Sequence, residues 1–215
     1  MLEILRYGVI LAFCVSFIAL CHLIVKTYLF NKKPVYAKSQ SRPIKGIVYA
    51  LGKGMMPWEK ESAGRHLLTY LGGILYHTGI FAALFYLFLL LISHRLNSTV
   101  VLILRILMFA GIFSGMGLFL KRSTKSQLRR ISCPDDFASN LMVDVFLLLA
   151  LTDTYTFRFR SLFFAVAIVM FLYIPVGKIR HCFFFFYSRI LFGLFYGRRG
   201  VLPQRRKQSR VNYLI

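Results

Sequence analysis

The chain has 215 residues, of which 58% are hydrophobic, and its 22 phenylalanines exceed what the core of one water-soluble domain of this length would bury. Its 28 Lys and Arg residues outnumber its 7 Asp and Glu residues, but they lie between and after long apolar runs. That pattern indicates membrane topology, and we expect no nucleic-acid partner. The four cysteines form neither a CxxC nor a CxxCH motif, so we expect free thiols.

Three runs of the sequence are long and apolar enough to cross a bilayer, which takes roughly 20 residues. They are residues 7–30, 67–93 and 99–120. The first run is too long for the core of a signal peptide and lacks a small-residue cleavage site. We therefore expect it to remain in the membrane as a helix.

The second half of the chain predicts two further helices, at residues 139–153 and 158–187, on either side of a short polar stretch. The predicted fold is thus all-α, an integral membrane bundle of five transmembrane helices within residues 1–194. A basic tail at residues 195–215 follows it.

The distribution of basic residues predicts the orientation of this bundle, because loops rich in Lys and Arg are retained in the cytoplasm. Most of them lie in the loops after the first and third predicted helices and in the tail. The other side carries only Arg6, Arg95, Arg158 and Arg160. We expect the amino terminus outside, the carboxyl terminus in the cytoplasm, and a multi-pass protein of the inner membrane.

The first loop is rich in Gly and Pro and contains Met55, Met56 and Trp58. These side chains are expected either in the membrane interface or against a partner protein. A tryptophan at such a position is more often an anchor than part of a site.

Two histidines lie inside the predicted bundle, where ionisable side chains are costly and point to a function. His77 is about 15 Å into the second predicted helix at 1.5 Å per residue. His181 follows Pro175 in the fifth, and the opposite directions of these two helices place both histidines in the same half of the membrane. Imidazoles are ordinary axial ligands of haem iron. The spacing alone leaves a structural role for either histidine open.

Three segments resemble the gamma subunit of respiratory nitrate reductase, a membrane b-type cytochrome. Residues 75–80, Leu-Tyr-His-Thr-Gly-Ile, resemble the Phe-His-Ile-Gly type motif on that family's second helix. Residues 174–181, Ile-Pro-Val-Gly-Lys-Ile-Arg-His, are similar to the Pro-Phe-Ser-Arg-Leu-Val-His ending of its fifth helix, and residues 120–144 resemble its third connection. The related membrane cytochromes of sulfur-cycle and heterodisulfide-reductase-like complexes are also similar. The resemblance implies haem b, quinone or quinol as electron partner, and a cytoplasmic iron–sulfur redox subunit.

The chain departs from that family at both ligands of its second haem. The position ten residues after His77 is Leu87, and the position eighteen residues before His181 is Phe163. Both ligands of one haem are missing together, as expected if the whole cofactor has been lost. We therefore expect one haem b, with His77 and His181 as its axial ligands.

Several residues near these histidines are candidates for the haem surroundings or for pairing with its propionates: Arg65, His66, Gly73, Lys178, Arg180 and Arg189. A positively charged membrane rim explains each basic residue equally well. His66 lies eleven residues before His77 on nearly the same helical face, and it is an alternative ligand. Its place at the membrane boundary favours a hydrogen bond to a propionate or a quinone, or no specific role, over ligation. His22 and His94 match no motif and are expected to be structural.

Asp144 and Arg105 are the weaker candidates for a quinone site, since intramembrane charges either line a cavity or bridge helices. The resulting hypothesis is a cytochrome subunit that transfers electrons between the quinone pool and an iron–sulfur partner docked on the tail, around residues 195–203. The alternative is a haem-free membrane anchor that recruits soluble partners through its basic loops and tail.

Overall fold

The computed structural model of the protein describes residues 1–30, 38–59, 64–92 and 96–201, and the regular structure within these ranges is helical. Eight α-helices occur there: α1 (Leu2–Leu29), α2 (Pro43–Leu51), α3 (Leu67–Ile92), α4 (Ser98–Thr124), α5 (Ser126–Arg130), α6 (Pro134–Asp153), α7 (Arg160–Tyr173) and α8 (His181–Arg199). Short 3-10 turns occur at Lys53–Met55, Pro57–Glu59, Phe157–Phe159 and Lys178–Arg180. His94, Arg95 and residues 202–215 of the predicted tail lie outside the described residues.

The ends of the helices reflect the local sequence. The side chain of Asn97 accepts a hydrogen bond from the Thr99 N–H at 2.8 Å and caps α4. α6 starts with Pro134, whose missing N–H costs nothing in the first turn. α8 is followed directly by Gly200, which caps its carboxyl end. The φ of Gly200 is 69°, in the left-handed region that glycine adopts without strain.

The bundle is a chain of neighbouring helices, in which α3 packs on α4, both pack on α6, α6 packs on α7, and α7 packs on α1. The backbones of α3 and α4 touch where they cross, since a Cβ built on Gly79 would lie 2.6 Å from the Cα of Gly111. Small residues at such a crossing are typical of helices that associate in a membrane. Gly79 therefore serves the packing of two helices.

Polar contacts fix which helix ends lie together. At one end, Arg6 donates to the carbonyl of Leu91, and Arg160 pairs with Asp153. At the other end, Lys121 donates to the hydroxyl of Thr69. Neighbouring helices of the bundle therefore alternate in direction, and the first turns of α3 and α6 share an end with the last turns of α4 and α7.

Within the described residues, three helices, α1, α3 and α4, are long and apolar enough to cross a membrane, and α7 with α8 would make a fourth span if that bent pair is one crossing. The all-helical, multi-span prediction is confirmed to this extent, and five crossings are not reached. α6 lies at the centre of the bundle but carries four aspartates in 20 residues, Asp135, Asp136, Asp144 and Asp153.

The prediction of one helix over residues 158–187 is wrong. α7 ends at Tyr173 and α8 begins at His181, with an angle of 72° between the two halves. Pro175 lies in this break, and proline cannot donate the backbone hydrogen bond that a continuing helix needs. α8 then runs on to Arg199, so residues 195–199 of the predicted tail are helical.

Candidate functional site

The structure brings His77 and His181 together, although they are far apart in sequence. His77 projects from the first half of α3, and His181 is the first residue of α8. Their ring centroids are 6.5 Å apart and their planes are inclined at 81°. Both side chains are exposed, so neither imidazole is part of the packed core. The pair lies at the end of the bundle shared by the last turn of α4 and the first turn of α6.

The two rings are held in the same way. Nδ1 of His77 is 2.7 Å from the carbonyl oxygen of Gly73, and Nδ1 of His181 is 2.7 Å from that of Lys178. A carbonyl oxygen only accepts, so each Nδ1 carries the hydrogen and donates it. In the neutral form of each ring, this leaves a lone pair on Nε2, which is the arrangement that metal-ligating histidines share.

The bend between α7 and α8 places His181. A Cβ on Gly177 would lie 2.4 Å from the ring of Tyr173, so only glycine lets that ring lie against the turn. The Tyr173 hydroxyl lies 3.1 Å from the hydroxyl of Ser139 and also donates to a carboxylate oxygen of Asp135. These contacts tie the end of α7 to the start of α6 and fix where α8 begins.

Asp136 holds the same turn electrostatically. Its Oδ1 lies 2.5 Å from Nζ of Lys178 and 2.8 Å from Nη1 of Arg122, and its Oδ2 accepts from the backbone N–H of Cys133 at 2.9 Å. Burial of the carboxylate favours its neutral form, but the hydrogen bonds from Lys178 and Cys133, with the charge of Arg122, outweigh this and hold the pKa well below its usual range. Asp136 therefore positions Lys178, whose carbonyl orients His181.

We expect Asp136→Asn to destabilise the protein by about 2 kcal/mol at neutral pH, because it removes charged hydrogen bonds. The folded pKa is lower than the value of about 3.9 in an unfolded chain, so the carboxylate stabilises the fold above about pH 4 and this contribution is lost as the pH falls further. Thermal unfolding in detergent, measured from neutral pH downwards, should show the two proteins converging in acid. Asp135→Asn is the control, because it removes the charge of the neighbouring residue and keeps an oxygen acceptor for the Tyr173 hydroxyl. A constant difference at all pH values would contradict the assignment.

An open pocket of about 340 Å³ lies beside His181. Cys133, Asp135, Lys178, Arg180 and Phe184 complete its lining. Two of the predicted propionate partners, Lys178 and Arg180, are thus neighbours of His181. Lys178 already pairs with Asp136, whereas the Arg180 side chain is exposed.

The other predicted surroundings are more scattered. Gly73 contributes its carbonyl, and a Cβ added there would meet nothing within 4 Å among the described atoms. Arg65 and His66 precede α3, about 16 Å from the level of His77 at 1.5 Å per residue. Arg189 lies further along α8, with its guanidinium 5.5 Å from the ring of Phe185. The structure therefore groups Gly73, Lys178 and Arg180 with the histidine pair and leaves the other three away from it.

The two quinone candidates are not neighbours. Arg105 donates from Nε to the hydroxyl of Thr154 at 2.9 Å and lies 3.9 Å over the ring of Tyr155, at the opposite end of α6. That set of contacts bridges α4 to the end of α6, which was the structural alternative for this residue.

Asp144 lies on the histidine side of the bundle. Its Oδ2 accepts from Nδ2 of Asn140 at 3.0 Å, and Asn140 also donates to the hydroxyl of Tyr76 at 2.9 Å. The Tyr76 ring is 6.2 Å from that of His77. Within the described ranges, Oδ1 of Asp144 is buried and has no hydrogen-bond partner. The Asp144, Asn140 and Tyr76 group is therefore a polar link that reaches the neighbour of His77.

The positions that correspond to a second pair of ligands are part of the core. Leu87 is 2% exposed and Phe163 is fully buried. The ring of Phe163 lies 5.3 Å from that of Phe146 and 6.1 Å from that of Tyr86. Apolar and aromatic side chains pack closely there.

Sequence reasoning did not assign roles to Asp136, Asn140 or Tyr76. Asp136 had a local signal, since Cys133-Pro134-Asp135-Asp136 places an acidic side chain three residues after a helix cap. Its partners Arg122 and Lys178 come from distant parts of the chain, and no local pattern predicts them.

Among the described residues, no group of three or more His, Cys, Asp and Glu side chains lies close enough to hold a metal ion. The histidine pair therefore has no third protein ligand beside it in that part of the chain. No family model matches the chain, and the comparisons with curated proteins and with solved structures found no match.

Proposed function

We propose that the protein is a membrane b-type cytochrome that passes electrons between the quinone pool and a cytoplasmic iron–sulfur partner through a single haem b held by His77 and His181. The observation that carries the proposal is the geometry of this pair. Two imidazoles on opposite sides of one metal would place their centroids about 6 Å apart, since each metal–nitrogen bond is about 2.0 Å long. The observed separation is 6.5 Å.

The ligand count also favours haem over a structural metal. Zinc sites draw three or four ligands from the protein, and the described residues offer two. Haem iron needs only two axial ligands, because the porphyrin supplies the rest. When bound, the haem supplies the one-electron chemistry.

Residues of the chain itself orient the two imidazoles and surround the proposed haem site. The carbonyls of Gly73 and Lys178 keep both imidazoles in the tautomer that ligates through Nε2. A Cβ on Gly73 would meet nothing within 4 Å among the described atoms, which would let a flat group approach α3 there, and the exposed Arg180 is our candidate to pair with a propionate. If His77 and His181 hold the haem together, they would leave no position for a substrate on the iron, and the site would be suited to electron transfer.

A single haem fits the rest of the bundle. Leu87 and Phe163, which stand where a second pair of ligands would be, are packed in the core with Phe146. A second macrocycle there would require that core to open, at the cost of several buried aromatic contacts. Without a second carrier, we expect little charge separation across the membrane through this subunit.

The Asp144, Asn140 and Tyr76 group is our candidate for proton exchange with a quinol near the haem. Asp144 has one carboxylate oxygen without a partner in the described structure, and Tyr76 connects it to the surroundings of His77. Arg105 is not part of this proposal, because it already donates a hydrogen bond to Thr154 and lies over the ring of Tyr155.

The placement in the inner membrane is proposed from the charges. The histidine pair lies at the end of the bundle that carries Lys121, Arg122, Lys125, Arg129 and Arg130, and the positive-inside rule assigns such an end to the cytoplasm. The haem would then face a cytoplasmic partner, which docks on the basic end of α8 and the tail.

The experiment is a spectrum of the purified protein reduced with dithionite, minus that of the oxidised protein. We expect the sharp α band of a low-spin b-type haem and a stoichiometry of one haem per chain. Two haems per chain would contradict the single-site proposal. A purified, folded protein without the band would contradict the cytochrome.

One observation favours a second candidate, the haem-free anchor. Two rings at 81° and 6.5 Å also form an ordinary edge-to-face pair, which needs no metal. The same spectrum separates the two functions, since the anchor has no visible absorption.

A further inference from the structure

α2 and α8 form a helix pair beside the bundle. They pack on each other, and α8 otherwise meets the bundle at the bend and at α1, where the Phe183 ring lies 5.9 Å from that of Phe17. We call the residues 38–59 and 182–201 the platform. Phe184 of the platform also lines the pocket beside His181, but the observations that place the platform are its own packing, exposure and charge, and none of them requires a haem.

The platform is joined by direct contact of two backbones. A Cβ on Gly46 would lie 1.9 Å from the carbonyl oxygen of Gly193 and 2.7 Å from the Cα of Gly197. Ala50, one turn after Gly46, is fully buried in the same crossing. Small residues four apart on both helices are typical of helix pairs that form in lipid.

The outer surface of the platform is apolar. Ile44 and Val48 are 72% and 67% exposed and, with Leu51, lie on the side of α2 that faces away from Gly46 and Ala50. On α8, the side chains of Leu191, Phe192 and Phe195 are 41%, 42% and 49% exposed and lie on the side of the helix that faces away from Gly193 and Gly197. Trp58, the single tryptophan of the chain, is 75% exposed in the turn after α2.

The charge beside these apolar residues is almost entirely positive. Residues 38–59 and 181–201 contain seven basic side chains: Lys38, Arg42, Lys45, Lys53, Arg189, Arg198 and Arg199. Their single acid, Glu59, is 3.0 Å from Nζ of Lys53 and accepts from the hydroxyl of Tyr49. A surface that complements the platform must therefore be apolar and negatively charged together, as an anionic lipid layer is.

The bend sets the direction of α8. A helix of 19 residues is about 28 Å long, and at 72° it advances only about 9 Å along the line of α7. α8 thus runs mostly sideways from the end of the bundle, with α2 packed along it.

We propose that the platform lies in the plane of the membrane interface, with its apolar side chains among the upper acyl chains and the basic side chains at the start of α2 on the headgroups of anionic phospholipids. Trp58 is placed at the level where tryptophan is enriched, between the headgroups and the hydrocarbon. Arg42 and Lys45, both exposed, are the headgroup contacts at the start of α2.

Because Trp58 is the single tryptophan, its fluorescence reports directly on the platform in the full-length protein. The protein is reconstituted into vesicles of phosphatidylcholine with phosphatidylglycerol, in which the acyl chains are brominated either near the headgroup or near the bilayer centre. We expect about twofold more quenching by the shallow bromines than by the deep ones. The ratio to vesicles without bromine cancels quenching by any bound chromophore.

Two other outcomes overturn the proposal. Equal or stronger quenching by the deep bromines would mean that α8 continues α7 as a bent span. No quenching by either lipid, with full access to an aqueous quencher, would mean that the platform faces water, as a docking surface for a soluble protein would.

The headgroup contacts are tested with Arg42→Gln/Lys45→Gln. In the unchanged protein, replacing phosphatidylglycerol by phosphatidylcholine should lower the shallow quenching, and the double variant should lose most of this dependence. Lys125→Gln/Arg129→Gln is the matched control, since it removes the same charge from exposed residues at the same end of the bundle. If control and double variant behave alike, the anionic headgroups are not what Arg42 and Lys45 bind.

Discussion

Replacing His77 or His181 by alanine is expected to remove the haem spectrum completely, because each histidine would supply one of two axial ligands and no third protein ligand lies close by in the described structure. Both side chains are exposed, so neither change should empty a packed core. The measurement is the reduced-minus-oxidised spectrum of each purified variant, with haem counted per chain. Imidazole added to His181→Ala should restore part of the signal, since the lost ligand is itself an imidazole.

The matched controls are His22→Ala and His66→Ala, which remove an exposed histidine from α1 and from the residue before α3. Both should keep one haem per chain, with at most a small shift of the band for His66→Ala. Loss of the haem in His66→Ala, with His77→Ala unaffected, would assign the ligand to His66. Retention of the full spectrum in both His77→Ala and His181→Ala would end the bis-histidine assignment.

The meeting of His77 and His181 could be predicted from the sequence because depth in a membrane can be counted in residues along a helix. Two helices of opposite direction place His77 and His181 at similar depth, and the motif at residues 174–181 singled out the second. The lengths of α1, α3 and α4 were predictable for the same reason, since the bilayer requires about 20 apolar residues.

The break at Pro175 had a signal that hydropathy does not detect. The residues on both sides of it are apolar, so residues 158–187 look like one span, whereas proline in a helix interior predicts a stop or a kink. α2 was missed for a related reason. Pro43 and Gly46 are typical of a loop, but here proline starts a helix and glycine is the point where that helix meets α8.

The ion pairs could not be predicted, because their partners are chosen by packing. Asp136 pairs with Arg122 and Lys178, and Arg105 donates to the hydroxyl of Thr154. The distribution of basic residues predicted only that Arg160 lies at the less basic end of the bundle. Its actual role depends on where the start of α7 lies against the end of α6.

The second large expected effect is a loss of stability on changing Asp153, the partner of Arg160. The carboxylate of Asp153 is fully buried at the end of α6. Oδ2 lies 2.9 Å from Nη2 of Arg160 and accepts from the hydroxyl of Tyr86 at 2.8 Å. Asp153→Ala would leave the Arg160 charge and the Tyr86 hydroxyl without this partner in a largely dry site. Breaking a buried pair from one side costs about 3–5 kcal/mol, and we expect a fall of that size in the stability of the detergent-solubilised protein.

A double variant separates the contribution of the ion pair to stability from the contribution of the volume that its two side chains fill. Asp153→Leu/Arg160→Leu removes both charges and keeps apolar volume, so it should recover much of the loss, because a buried ion pair is often no more stabilising than apolar residues of similar size. Glu3→Ala is the surface control. Its pair with Arg6 spans 3.5 Å at an exposed end of α1, where such a contact is worth about 1 kcal/mol at most. If Asp153→Ala costs no more than Glu3→Ala, the buried ion pair does not stabilise the end of α6.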